Sequence, residues 1–335
     1  MASCAVIACD NGYGHVRRCI LICNALAASG VSATLFAPLA AVCRFNKSDN
    51  VTVIDFETKT SVDGLRRGDA DCRFWERRLP PLDTFDLVVS DNLPEILRLR
   101  PDAVLSGSFL WHLALDGVSS NIANEAKNLL AEHRPVMVAS ELFGQPGLSE
   151  WTRLFSVGLC TREPASPPHG ENLLIACGGT AAIEDDFRAF VSEIANGPPP
   201  AFPVVWVEPR LLPQHAPDWM RKAEFGQDLY NGLAAAICRP GVGTLTDCLC
   251  AGARVFAIWE PGNGEMAFNA RRLTEVGVGE AATDLRTAYA AAQSFVADRD
   301  RRRAQNDAIG RLDFDGVTAT VAILAKVKSG SSCAA

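Results

Sequence analysis

The chain has no apolar run of about 18 residues, so no membrane-crossing helix is expected. Its N-terminus, MASCAVIACDNG, lacks the basic lead and apolar stretch of a secretory leader. Positive charge is not in excess: 32 Lys and Arg against 39 Asp and Glu give a net charge of −7. No general attraction to nucleic acid or to an anionic membrane follows from that balance. The six tryptophans form no stacking array and have no basic stripe beside them. Cys248 and Cys250 are too close for a zinc knuckle, and no second pair stands at metal spacing. No DxD-like acidic pair follows a strand, so neither a divalent ion nor another cofactor is called for. These absences describe a cytoplasmic protein with no membrane span and no nucleic-acid partner.

What is present is a globular composition, 48% apolar and 21% charged, in 335 residues, a length that suits two domains. Cysteine is plentiful at 12 residues. Cys4, Cys9, Cys19, Cys23, Cys177, Cys238, Cys248 and Cys250 fall inside apparent strands and helices. They read as small buried apolar residues in a reducing compartment.

A continuous apolar run at Cys4–Cys9 and further strands at Val31–Ala37, Val51–Phe56, Leu87–Ser90, Ala103–Ser106 and Val136–Ser140 are the expected strands of an α/β sheet. Between the first two, Val16, Cys19, Ile20, Cys23, Leu26 and Ala27 share one helical face, and Gly30 ends the helix. Strand, glycine loop, helix and strand make a βαβ unit. The loop Asp10–His15 lies at the carboxyl end of a strand, where open α/β sheets bind ligands. Glu57 to Phe85 is a polar, arginine-rich excursion with a helical piece. Arg66, Arg67, Arg73, Arg77 and Arg78 there suit either an anionic acceptor or, for most of them, a solvated face. Later strand ends add Asp91, His112 and Glu141 to one rim.

The pattern restarts after a proline-rich stretch at 161–170, an interdomain linker. Strands are expected at Asn172–Cys177, Pro203–Val207, Ala234–Cys238 and Val255–Trp259. Helices are expected at Glu184–Ala195, about Glu265–Val276 and Val317–Lys328, with a frayed end after them.

Two segments carry the candidate chemistry. His15 follows Gly12-x-Gly14 at a helix start, where it is either a general base or a cap for its own helix. Asp91 and Asp10 are the candidates to steer it. In the second half, Gly178-Gly179-Thr180 and Gly241-Val242-Gly243-Thr244 are glycine turns leading to helices. Each is a phosphate cradle or a plain turn. Thr244 is expected to cap the second helix, and Asp247 to lie on its first turn, where it either meets a diol or complements the helix dipole. Glu265 and Asn269, four apart, share a helical face.

Asn11-Gly12-Tyr13-Gly14-His15-Val16-Arg17-Arg18 resembles the G-x-G-H-x-x-R loop of GT-B-fold nucleotide-sugar enzymes. Cys238 to Asp247, Gly252-Ala-Arg-Val-Phe-Ala, and Glu265-Met-Ala-Phe-Asn269-Ala270 look like their donor-site signature. Asp228 stands where they carry an aspartate before that strand. Order and spacing hold across nearly the whole chain. The nearest likenesses are the peptidoglycan GlcNAc transferase and macrolide-type glycosyltransferases. The N-terminal loop is also similar to the nucleotide-sugar hydrolase of the pseudaminic acid pathway.

The resemblance implies two Rossmann-like domains, 1–160 and 171–314, with parallel sheets facing a central cleft, and a helix at 315–329 returning to the first domain. It implies a glycosyltransferase that moves a sugar from a nucleotide-diphosphate donor, a UDP-sugar first, to an acceptor hydroxyl without metal. His15 would be the base, with Asp91 behind it. Gly12, Gly14, Arg17, Gly178, Gly179, Thr180, Arg239, Gly241, Gly243 and Thr244 would line the substrate. Asp247 would hold the ribose, and Glu265 and Asn269 the donor side. Three departures stand out: Asp247 replaces a glutamate, Met266 replaces a glutamine, and the chain is short for a transferase of this fold. A hydrolase using His15 to activate water, or a silent nucleotide- or sugar-binding protein, are the alternatives.

Overall fold

The computed structural model describes residues 2–161, 170–179 and 182–329. Most of the expected linker, Thr180 and the expected frayed end past 329 lie outside the described residues. The chain divides into two units, one formed by the first 162 residues together with 315 onward, the other by 163–314.

In the first unit the order is β1 (Ser3–Ile7), α1 (Tyr13–Ala28), β2 (Ser32–Ala37), α2 (Leu39–Val42) and β3 (Val51–Asp55). Then come α3 (Val62–Arg67), α4 (Ala70–Arg73), β4 (Leu87–Asp91), β5 (Val104–Ser106), α5 (Trp111–Ala114) and α6 (Ser120–His133). It closes with β6 (Val136–Ser140), α7 (Leu148–Trp151) and β7 (Arg153–Val157). The strands form a 7-stranded parallel sheet in the order β3-β2-β1-β4-β5-β6-β7. The order reverses between β1 and β4, and that makes their carboxyl ends the switch point of the sheet.

Both faces of this sheet are covered, which is why β1 reads as an unbroken apolar run. On β1, Ala5 and Ile7 face a core with Leu65, Trp75, Leu93 and Phe109. Cys4 and Val6 face the other way, against Val16, Cys19, Ile20 and Cys23 of α1. Successive side chains alternate across a strand, so one apolar run supplies two cores.

The second unit runs β8 (Asn172–Ala176), α8 (Glu184–Ala195), β9 (Val205–Val207), β10 (Met220–Lys222), α9 (Gln227–Asn231), β11 (Leu233–Cys238), α10 (Val242–Cys250) and β12 (Arg254–Ala257). It ends with α11 (Gly264–Glu275), β13 (Gly279–Ala281), α12 (Leu285–Ala297) and α13 (Arg299–Ile309). Its 6-stranded parallel sheet has the order β10-β9-β8-β11-β12-β13, with the switch point between β8 and β11. The last helix, α14 (Gly316–Lys328), belongs to the first unit, where Leu324 is buried in the core beside α1.

Several expectations need correcting. The first helix opens at Tyr13, not Val16, because Gly12 takes φ 114° and turns the chain straight into it. His15 therefore sits inside the first turn. α10 opens at Val242 with Gly241 at its N-cap and no side-chain cap, so Thr244 lies within the helix and does not cap it. Asp247 consequently falls on the second turn, not the first. Three strands carry no apolar run to read: β10 and β13 have 3 residues each, with one buried. β7, at the sheet edge, is buried only at Val157.

Candidate active site

The rim of the first unit is built around Asp91, the last residue of β4, whose side chain is fully buried. His15, from the neighbouring β1–α1 loop and helix, places Nδ1 3.3 Å from Asp91 Oδ1. Arg18, one turn further along α1, donates from Nη2 to the same oxygen. The thiol of Cys19 donates to Oδ2 at 3.5 Å. Burial pushes the Asp91 carboxyl up, but the Arg18 guanidinium and then His15 outweigh it, holding the group below the usual carboxylate range. An ionised Asp91 takes the Nδ1 proton in hydrogen bond and leaves Nε2 as acceptor. The imidazole is close to enclosed, with 14% of its side chain exposed.

Asp91 is braced from behind. Asn92 adopts a left-handed φ of 57° and donates its backbone N–H to Ser106 O at 2.8 Å. Turned so that its amide nitrogen faces the chain, Asn92 also donates to the carbonyls of Phe109 and Ser106, both at 3.2 Å. Gly107 makes room for this: a Cβ there would lie 1.3 Å from Asn92 Oδ1. The stretch after β5 then gives an aromatic wall. Phe109 and Trp111 meet edge to face at 4.7 Å, and the His15 ring lies 6.2 Å and 6.3 Å from them. The Trp111 Nε1 is buried with no protein partner.

The other candidates on this rim fall elsewhere. Asp10 does not reach His15; its carboxylate takes Thr58 Oγ1 at 2.6 Å, Lys59 N at 2.8 Å and Thr60 N at 3.1 Å, pinning the 58–60 loop. Gly12 is the N-cap, and Gly14 and Arg17 sit on the first turns of α1. His112 packs edge-on against Trp151 and is pushed down to about 4 by burial and then by Lys127. Glu141 is exposed just past β6. The excursion's arginines hold their own unit together. Arg73 pairs with Glu125, Arg67 with Asp69, Arg66 with the Asp116 carbonyl, Arg78 with the Thr58 carbonyl, and Arg77 stacks on Phe74.

In the second unit the two glycine turns follow β8 and β11, the strands at its switch point. Gly178 has φ 70°, yet its N–H and that of Cys177 donate to Glu208 Oε2 at 3.0 Å and 2.9 Å. Arg210 locks that carboxylate at 2.7 Å, reaches Glu184 at 2.7 Å and donates to the Gly178 carbonyl. Burial and Glu208 raise the Cys177 thiol to about 11, with Arg210 opposing. Gly179 has open space around its Cα, and Thr180 lies outside the described residues.

At the second turn, Arg239 forms a two-pronged pair with Glu260 at 2.9 Å and 2.6 Å. Burial raises the Glu260 carboxyl, but Arg239 wins and holds it low. Asn263, the N-cap of α11, donates to the same carboxylate at 2.7 Å, so the β11 and β12 loops are tied together. Asn269, fully buried, donates from Nδ2 to Pro240 O at 2.9 Å and leaves Oδ1 without a protein partner. Gly241, Gly243 and Thr244 form the uncapped start of α10, an electropositive helix end. Asp247 and Glu265 are half-buried on α10 and α11, and Met266 is buried at 2% exposure. Among the described residues no group of three or more His, Cys, Asp or Glu could hold a metal, and no helix is long and apolar enough to cross a membrane.

Arg18, Glu208 and Glu260 are the members of these networks that the sequence reading passed over. Arg18 carried a signal: three residues after His15 on a helix, it must share that face. Glu208 and Glu260 carried none, since Cys177 and Gly178 for the one and Arg239 for the other come from the ends of neighbouring strands, more than 20 residues away.

No protein-family model and no curated protein matches the chain. Solved structures do match in fold. The calicheamicin glycosyltransferase CalG4 is 18% identical, covers 100% of both chains and has a TM-score of 0.63. The spinosyn rhamnosyltransferase SpnG, complexed with thymidine diphosphate, is 16% identical over 96% of this chain and 100% of its own, with a TM-score of 0.63. UGT89C1 of Arabidopsis thaliana, complexed with UDP, is 12% identical over 97% and 99%, with a TM-score of 0.61. The chain has the GT-B fold: α/β, with two Rossmann-like domains.

Proposed function

We propose that this protein transfers a sugar from a nucleotide-diphosphate donor to an acceptor hydroxyl, with His15 as the general base. The observation that carries the reading is the His15–Asp91 pair at the switch point of the first sheet. Nε2 takes the acceptor proton, and Asp91 holds Nδ1–H and stabilises the imidazolium as it forms. The aromatic wall of Phe109 and Trp111 keeps that exchange out of bulk water. The departing diphosphate lies at the start of α10, where helix N–H groups favour the developing charge. Gly241, Gly243 and Thr244 line it, Asp247 takes the ribose, and Glu265 and Asn269 face the donor sugar. No step in this scheme calls on a metal. Uridine is the first base to test and thymidine the second, because fold neighbours are complexed with UDP and thymidine diphosphate.

The experiment is to incubate the protein with UDP- and TDP-sugars, with and without a panel of hydroxylated acceptors. Release of nucleoside diphosphate that depends on acceptor, with a glycosylated product by mass, is the expected result. Stoichiometric free sugar without any acceptor would assign the site to hydrolysis, with His15 activating water. A nucleotide that fails to raise the melting temperature at 100 times its supposed Kd, where about 2.7 kcal/mol is due, would remove the donor reading.

A further inference from the structure

One oxygen of Asp91 serves two partners. Arg18 Nη2 and His15 Nδ1 both approach Oδ1, and they stand 3.4 Å from each other. The remaining groups around them belong to or follow three elements. Cys19 on α1 touches Oδ2, Cys9 follows β1, and Cys160 follows β7 near Arg18. All three thiols are raised, by burial before any other cause, and so stay neutral. Arg17, half-buried on α1, is the other fixed positive charge nearby. The charge facing His15 is therefore set by Asp91 and the two arginines, and Arg18 alone among the arginines shares its oxygen.

We propose that Arg18 is a positioning residue for the base: sharing Asp91 Oδ1, it offsets the carboxylate's pull on His15 and tunes how readily the imidazole takes a proton. With Arg18 present, Asp91, Arg18 and neutral His15 sum to zero, and uptake of the acceptor's proton at Nε2 takes the cluster to +1. Without Arg18 the same uptake takes it from −1 to zero, the easier step in a buried site. The proton balance is otherwise unchanged: Nδ1–H stays on Asp91, and the imidazolium later gives its extra proton to solvent. Arg18 thus offsets, at the shared oxygen, the pull of Asp91 on the protonated ring. This rests on the reading of His15 as the base.

The test is the NMR titration of the His15 Cε1–H in the full chain, which needs no substrate. The chain has 5 histidines, and His15→Gln identifies the signal. Arg18→Met should move the midpoint up by at least one pH unit, and Arg18→Lys should leave it within half a unit of the wild type. In the Asp91→Asn background, with no carboxylate between Arg18 and the ring, adding Arg18→Met should raise the midpoint by at least one pH unit. Coincident wild-type and Arg18→Met curves would overturn the proposal, and so would Arg18→Lys moving as far as Arg18→Met. Should Arg18→Met alone not fold, the Asp91→Asn pair decides: equal midpoints with and without Arg18→Met overturn it. In turnover, the acidic limb of kcat/KM should shift with the Arg18→Met titration. A shifted titration with no turnover of any sugar nucleotide would remove the catalytic reading and leave the role of Arg18 standing.

Discussion

The rims of the two units handle charge in opposite ways. In the first, the central charge is sunk: Asp91 is fully buried, and the side chains bonded to it among the described residues, His15, Arg18 and Cys19, come from α1. In the second, carboxylates stand at the mouth of the turns. Glu208 covers two backbone N–H groups, and Glu260 takes Arg239, each with about 15% of its side chain exposed. A buried carboxylate can only hold a geometry, because moving it strands its partners. A carboxylate at the mouth can be displaced by an incoming anion. The first rim is thus suited to fixing a base, and the second to exchanging one anion for another.

The comparison can be broken most severely at His15. Replacing it with Ala should lower turnover by about 10²- to 10⁴-fold, the usual contribution of a general base, while unfolding stability changes little. Initial rates beside a denaturation curve check both halves. Turnover within threefold of wild type would sink the base assignment. Asp91→Ala should instead cost about 3–5 kcal/mol of stability, because it leaves the Arg18 guanidinium buried without its carboxylate. A loss under 1 kcal/mol by urea unfolding would show that the first rim is not held by a buried charge.

A second buried acid in the first unit gives the pH test. Burial pushes Glu95 up from 4.5 to about 7, and its own backbone N–H, then Trp75 Nε1 at 3.3 Å and the more remote Arg98, oppose it only in part. Asp91 has a guanidinium in contact and is shifted down. Between pH 4.5 and 7 the unfolded chain has lost the Glu95 proton and the folded chain still holds it. The folded state binds more protons there, so stability falls as pH rises through that window and levels off above it. The shift amounts to about 3 kcal/mol. Glu95→Gln should abolish this loss between pH 5 and 8, and parallel pH profiles for the two proteins would count against it.

At the second rim, Glu208→Ala frees the N–H groups of Cys177 and Gly178 and should cost about 1.5–3 kcal/mol, the range for hydrogen bonds to a charged group. The same variant should bind a nucleoside diphosphate more tightly, since a competing carboxylate is gone. Calorimetric titration with UDP and TDP reads this directly. Equal or weaker affinity would mean that Glu208 is a structural clasp and not an anion stand-in.

How much of this was legible in the sequence follows from range. The βαβ rhythm is local, and α8 matches its expected Glu184–Ala195 span because an amphipathic face and an acidic first turn mark it. The run of β1 reads as a buried strand because it faces two cores. β10 and β13 were beyond reach, since each has one buried residue and no apolar run, whereas the equally short β5 and β9 are apolar enough to read. His15 and Asp91 were named from strand-end position, but Asp10 stood equal until the 58–60 loop was seen to claim it. The helix starts were misplaced where glycine, with no side chain to signal a cap, begins the helix.

The smallest test lies at one of those misplaced starts. Were Thr244 the N-cap of α10, its replacement by Ala would cost about 1 kcal/mol. It is the third residue of the helix, and no side chain caps that end. Thr244→Ala should therefore change stability by less than about 0.5 kcal/mol, the scale of a substitution that removes no cap and opens no cavity. Under the proposed function the Thr244 hydroxyl would face a diphosphate. The variant should thus weaken UDP or TDP binding severalfold with stability intact. A stability loss near 1 kcal/mol with unchanged affinity would return Thr244 to a capping role and leave the second rim without its anion site.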